Sequence, residues 1–76
     1  DNRCYVSCDT PGLIEYKVDL GATVEEGQLI AVVHEITRTG RPPALYFAGI
    51  SGIFTGRHFP GMIGMGDIVA VIAVPV

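Results

Sequence analysis

Gly21-Ala-Thr-Val24-Glu-Glu-Gly27-Gln28-Leu-Ile-Ala31-Val-Val33 is answered later in the chain by Gly61-Met-Ile63-Gly-Met-Gly66-Asp67-Ile-Val-Ala70-Val-Ile72. Each copy runs from a glycine to a β-branched residue, then to a glycine followed by a polar residue. Each then enters an apolar strand with alanine at its third position. The echo reaches upstream, where Gly12-Leu13-Ile14 is matched by Gly52-Ile53-Phe54. The offset is 40 residues at Gly12/Gly52 and Gly21/Gly61 and 39 at Val24/Ile63, Gly27/Gly66 and Ala31/Ala70, so the second turn is one residue shorter. A repeat is read first because it decides the fold. Two copies are too few for a solenoid. They predict a pseudo-two-fold β domain in which each half completes the core of the other.

Working outward, the 76 residues are expected to form one domain, with a first half at about 11–36, a loop at 37–43 and a second half at about 44–74. A chain of this size has a core that is only marginally sufficient. Yet 49% of the residues are apolar and the mean hydropathy is +0.43. Either a compact β core has many inward positions, or some of the apolar surface meets a partner. The net charge is −3 and the five basic residues are dispersed, so a nucleic-acid partner is not expected. The longest apolar run, Ile68 to Val74, is far short of the roughly 20 residues that span a bilayer, and no membrane partner is expected. The chain opens at Asp1 and not at Met, which suggests a piece of a longer protein, with processing as the alternative.

Taken in order, residues 4–8 predict a short first strand, and Asp9-Thr10-Pro11-Gly12 a turn. Ile14, Tyr16, Val18 and Leu20 then alternate with Glu15, Lys17 and Asp19, the period of a half-buried antiparallel strand. Thr23 to Gly27 predicts a glycine turn with Val24 plugging inward. Leu29 to Ile36, Ala44 to Ala48, Ile53 to Phe59 and Ile68 to Val74 predict further strands, with a second glycine turn at Met62 to Gly66. Met62 and Met65 are candidates to fill gaps in the core. Ten glycines and five prolines between short strands fit an all-β barrel or sandwich without a helix of significant length.

Chemistry-bearing residues are sparse. Cys4 and Cys8 would lie about 13 Å apart on one face of a strand, at roughly 3.3 Å per residue, too far for a disulfide. Free thiols fit a reducing cytoplasm. His34 and His58 lack zinc-motif spacing. His34-Glu35 has no third group to orient it as a general base, and Ser7 and Ser51 have no identifiable base in sequence. The loop Thr37-Arg38-Thr39-Gly40-Arg41-Pro42-Pro43 is stiffened by its prolines, and its arginines either solubilise it or meet an anion.

Leu20-Gly21-x-x-Val24-x-x-Gly27-x-Leu29-Ile30-Ala31, with Gly66-Asp67 opening the matching strand, resembles the biotinyl/lipoyl family. That resemblance implies a barrel-sandwich hybrid, a flattened β-barrel of two interlocked halves. Carriers of that family display a lysine on the hairpin between the halves, because the cofactor is attached to its amine. Residues 34–43 contain no lysine, and Lys17 is the only one in the chain. A swinging-arm carrier is therefore not expected.

Gly12-Leu-Ile-Glu15, Val18-Asp-Leu-Gly21, Arg38-Thr-Gly-Arg-Pro-Pro43, Ala48 with Gly52-Ile53, Arg57-His-Phe-Pro-Gly61 and Gly66-Asp67-Ile-Val-Ala70 together resemble the C-terminal domain of the succinylglutamate desuccinylase/aspartoacylase family. The likeness leans to the N-acetyl-diaminobutyrate deacetylase type. The resemblance implies a preceding zinc-binding catalytic domain with His-x-x-Glu, a later His and a further Glu, whose metal-bound water attacks an amide. None of that set occurs here, so no catalytic, cofactor or metal residue is assigned to this chain. The implied role is a non-catalytic domain of a zinc-dependent, cytoplasmic deacylase of N-acyl amino acids or related amides. It would pack on the catalytic domain and narrow access to the substrate, with room for a homo-oligomer. Arg38, Arg41, Pro42, Pro43 and His58 are the candidates to face that active site or a neighbouring subunit. The alternative is a structural barrel-sandwich module of an adaptor-type protein, which would be flanked by helical hairpins with heptads.

Overall fold

Strand β2, Gly12–Tyr16, grows from the alternation upstream of the repeat: Ile14 is buried, while Leu13 and Glu15 point outward. The computed structural model describes residues 2–35, 42–58 and 61–74. After a 3-10 turn at Asn2–Cys4, the strands are β1 (Tyr5–Ser7), β2, β3 (Thr23–Val24), β4 (Leu29–His34), β5 (Ala44–Phe47), β6 (Gly52–Arg57), β7 (Gly61–Ile63) and β8 (Ile68–Ala73). They form two four-stranded sheets, ordered β1-β8-β6-β3 and β5-β4-β2-β7. All neighbours are antiparallel. Both sheets are open-edged, so the architecture is a flattened all-β sandwich of two interlocked halves.

The pseudo-two-fold is exact in topology. Advancing every strand by four positions converts one sheet order into the other. Each sheet draws two strands from each half, so neither copy of the repeat can build a sheet alone. The equivalence holds down to single hydrogen bonds. The Cys8 N–H donates to Asp67 O and the Gly66 N–H to Cys8 O; their counterparts run from Ala48 to Gln28 O and from Gly27 to Ala48 O, all at 2.8–2.9 Å. In the turns, Gln28 Oε1 accepts the Glu25 N–H at 2.9 Å, as Asp67 Oδ2 accepts that of Gly64 at 2.8 Å. Gly27 and Gly66 have φ of 85° and 88°, the left-handed conformation that a glycine adopts without steric cost.

Phe54, Ile30, Ile72, Val24, Val33 and Val69 are fully buried between the sheets. They come from both copies of the repeat. The molecule measures 43 × 18 × 18 Å. That thickness holds two sheets about 10 Å apart and a single layer of core side chains, so the outer faces carry whatever apolar residues the core cannot take.

Four expectations need correction. The first half's long strand stops at Tyr16, and Leu20 is 50% exposed. The chain leaves one sheet after the Lys17 N–H bonds to Ile30 O at 2.7 Å, and joins the other where the Gly21 N–H bonds to Phe54 O at 2.7 Å. Val18 and Leu20 lie on that crossing, so the period of two lapses. Met62 and Met65 do not fill the core: Met62 faces outward opposite Leu13, and Met65 sits in the turn. The glycine turns contain short edge strands, β3 and β7, because Val24 and Ile63 pair with Gly52 and Gly12. The first strand covers only residues 5–7; Cys4 belongs to the 3-10 turn and Cys8 is buried beyond the strand. The expected ends at Ile36 and Phe59 lie outside the described residues.

Candidate interaction site

The mid-chain loop enters β5 through Pro42 and Pro43, both exposed, and Ala44 then pairs with Val33. Arg38 and Arg41 lie outside the described residues. His58 is anchored elsewhere. Its backbone N–H donates to the Tyr16 hydroxyl at 2.8 Å, and its Nε2 lies 3.5 Å from Asp67 Oδ2. The prolines and His58 are thus held by different elements, and His58 is grouped with Tyr16, Arg57 and Asp67.

Tyr16 is the hub of that group. It stands on β2, yet its hydroxyl donates to Val69 O, on β8 of the opposite sheet, at 2.7 Å. Its ring lies 5.7 Å from that of Phe54, and the Arg57 guanidinium sits 5.7 Å above it, within cation–π reach. Burial pushes the phenol up, against the opposing pull of the His58 N–H. Sequence reasoning read Tyr16 only as an inward residue. The available signal was a break in the repeat, since Tyr16 corresponds to Gly56 and Asp67 to Gln28.

A second polar group closes one end of the core. The Tyr46 hydroxyl donates to Asp9 Oδ1 at 2.6 Å and accepts the Asp9 N–H at 3.2 Å. Burial first, and the Asp9 bond second, push the Tyr46 phenol up to about 12. The same bond holds the Asp9 carboxyl below its ordinary range. Cys8 Sγ donates to Thr10 O at 3.0 Å and lies 3.7 Å from Tyr46 Oη. A thiol becomes a nucleophile beside a cation or a base. This one faces a neutral phenol and a carbonyl, so it is a structural thiol.

The third group lies on the outer face of the β5-β4-β2-β7 sheet, where Glu15 meets His34 and Lys17, each at 3.2 Å. The His34 bond, then that of Lys17, lowers the Glu15 carboxyl. All three side chains are about half exposed, where such pairs contribute little to stability. Lys17 sits just after β2 and not on the hairpin between the halves, so it does not present an attachment amine there. Among the described residues, no three His, Cys, Asp or Glu side chains converge as metal ligands, so these residues do not fit a zinc ion. Nor, among them, is any helix long and apolar enough to cross a membrane.

No protein-family model matches the chain. It is 45% identical over 73 residues to the N-alpha-acetyl-L-2,4-diaminobutyric acid deacetylase of Halomonas elongata, a match covering 96% of this chain and 21% of that protein. Among solved structures, the product-bound ectoine utilization protein EutE (DoeB) of Ruegeria pomeroyi is 47% identical with a TM-score of 0.94, covering 99% of this chain and 23% of that one. A succinylglutamate desuccinylase from Silicibacter sp. TM1040 is 49% identical with a TM-score of 0.87, covering 97% and 22%. The chain spans less than a quarter of the proteins it matches. It therefore corresponds, over its whole length, to the C-terminal part of proteins of the deacetylase/desuccinylase/aspartoacylase family.

Proposed function

We propose that this chain is the non-catalytic C-terminal domain of a zinc-dependent deacylase acting on N-acyl amino acids or related amides. It packs on the catalytic domain of the same protein and shapes access to its substrate. The observation that carries this reading is identity of 45–49% across nearly the whole chain to only 21–23% of each protein matched. The zinc belongs to the remainder of that protein. The loop with Arg38, Arg41, Pro42 and Pro43, together with His58, supplies the residues facing the active site or a neighbouring subunit. Free thiols at Cys4 and Cys8 support a cytoplasmic setting.

The test is made in the full-length protein with the four soft ligands of this segment replaced together (Cys4→Ser, Cys8→Ala, His34→Gln, His58→Gln). Stoichiometric zinc is expected to remain. Loss of the metal from a folded variant would place the ligands in this segment and contradict the reading.

A further inference from the structure

Resting on that reading, we propose that the outer face of the β5-β4-β2-β7 sheet, around Leu13, Leu45, Phe47 and Met62, is the surface that docks, and that its occupant is the rest of the same polypeptide. Alternation turns Ile14, Tyr46 and Ile63 into the core and their neighbours outward. Register sets them as two apolar groups on that face, on either side of Glu15 and His34, which lie opposite Val32 and Leu13. Met62 lies opposite Leu13, Leu45 opposite Val32, and Phe47 opposite Leu29.

The pseudo-two-fold provides an internal control. The fold makes the same demand on both sheets, and on the β1-β8-β6-β3 sheet the equivalents of Leu13, Leu45, Phe47 and Met62 are Ile53, Tyr5, Ser7 and Thr23. A serine and a threonine satisfy the fold where the first sheet has phenylalanine and methionine. The apolar bulk of Phe47 and Met62, 48% and 54% exposed, therefore exceeds what the fold requires. Exposed apolar side chains in excess of the fold's needs mark a covered surface. Glu15, between the two apolar groups, is already bonded by His34 and Lys17, so covering the face strands no unpaired carboxylate. The chain spans 21–23% of its relatives' length, so on that reading most of the protein is tethered to this segment. A tethered partner meets it at about millimolar effective concentration, ahead of a second copy.

Hydroxyl-radical footprinting of the full-length protein, read residue by residue, tests this. Met62 and Met65, at 54% and 73% exposure within this segment, would oxidise at similar rates if both stayed in water. Docking is expected to slow Met62 several-fold relative to Met65, and Phe47 several-fold relative to Tyr5, whatever the protein concentration. Full-rate oxidation of Met62 and Phe47 would overturn the proposal. So would protection that disappears on dilution, which would make the occupant a second copy. The double variant Phe47→Ser, Met62→Thr installs residues that the other sheet already carries. It is expected to leave this segment folded but to make it separately cleavable by protease; unchanged cleavage would count against the face. A protein that holds zinc and hydrolyses its substrate yet oxidises Met62 freely would refute this face alone. A protein without zinc or hydrolysis would refute the functional reading, whatever the footprint.

Discussion

At the scale of the residue, Tyr46 ties two parts of the chain together through one hydroxyl. Burial, and after it the hydrogen bond to Asp9, push the phenol up to about 12. A phenol whose folded pKa exceeds its unfolded value of about 10 stabilises the fold fully below pH 10. That contribution is lost as pH rises towards 12, because the folded state then binds more protons than the unfolded one. Alkaline titration of unfolding free energy is expected to show this loss, at most about 2–3 kcal/mol. Tyr46→Phe should flatten that part of the profile and cost about 1–2 kcal/mol at neutral pH through the lost hydroxyl bonds. Tyr16, also pushed up by burial, keeps a limb of its own, so an alkaline limb undiminished in the variant would assign the titration elsewhere. Asp9 and Glu15 act with the opposite sign. Their lowered carboxyls stabilise above the ordinary carboxylate range, and that is lost as pH falls through their depressed values. The burial of Tyr46 was legible from its place in Ala44-Leu-Tyr-Phe-Ala48, a short apolar strand. Its partner was not, because Asp9 is 37 residues away and only the sheet order brings the two together.

At the scale of the element, the repeat's upstream glycines mark where two strands come closest. A Cβ added to Gly12 would press on the carbonyl oxygen of His34, and one added to Gly52 on that of Ala73. These are symmetry-equivalent contacts against backbone, which cannot yield as a flexible side chain can. Gly12→Ala and Gly52→Ala are each expected to destabilise by about 2–3 kcal/mol. Gly64→Ala, whose Cβ would meet the Asp67 carboxylate at 3.4 Å, should cost less than about 1 kcal/mol. Equilibrium denaturation of the three variants checks this, and equal costs would show that the close approach is not what these glycines serve. The glycines themselves were legible, since Gly12-Leu-Ile and Gly52-Ile-Phe stand at the same place in the two copies. The strand ends were less so. Nothing in the alternation of Ile14, Tyr16, Val18 and Leu20 signals that the chain changes sheets after Lys17. Met62 was misread for a related reason: it alternates with Ile63 in a strand of three residues, too short to show a period.

At the scale of the whole molecule, the two-fold was legible from the offset of 40 and then 39 residues, because equal halves of one small chain must share one core. The repeat marked mismatches such as Tyr16/Gly56 and Asp67/Gln28, but not which of them the sheets bring together. The Tyr16, Arg57, His58 and Asp67 group and the Leu13, Leu45, Phe47 and Met62 face are departures from the symmetry, and as groups they become visible only when equivalent strands are superposed. Two of the five expected site residues, Arg38 and Arg41, lie outside the described residues, and Pro42 and Pro43 are held by a different element from His58. The central claim is that this segment supports chemistry performed elsewhere in its protein. Its most direct test is zinc content and N-acyl-amino-acid hydrolysis, measured side by side on the full-length protein and on these 76 residues. Stoichiometric zinc and turnover in the former, with neither in the latter, is the expected result. Zinc held by the 76 residues, or a full-length protein with neither metal nor turnover, would contradict it.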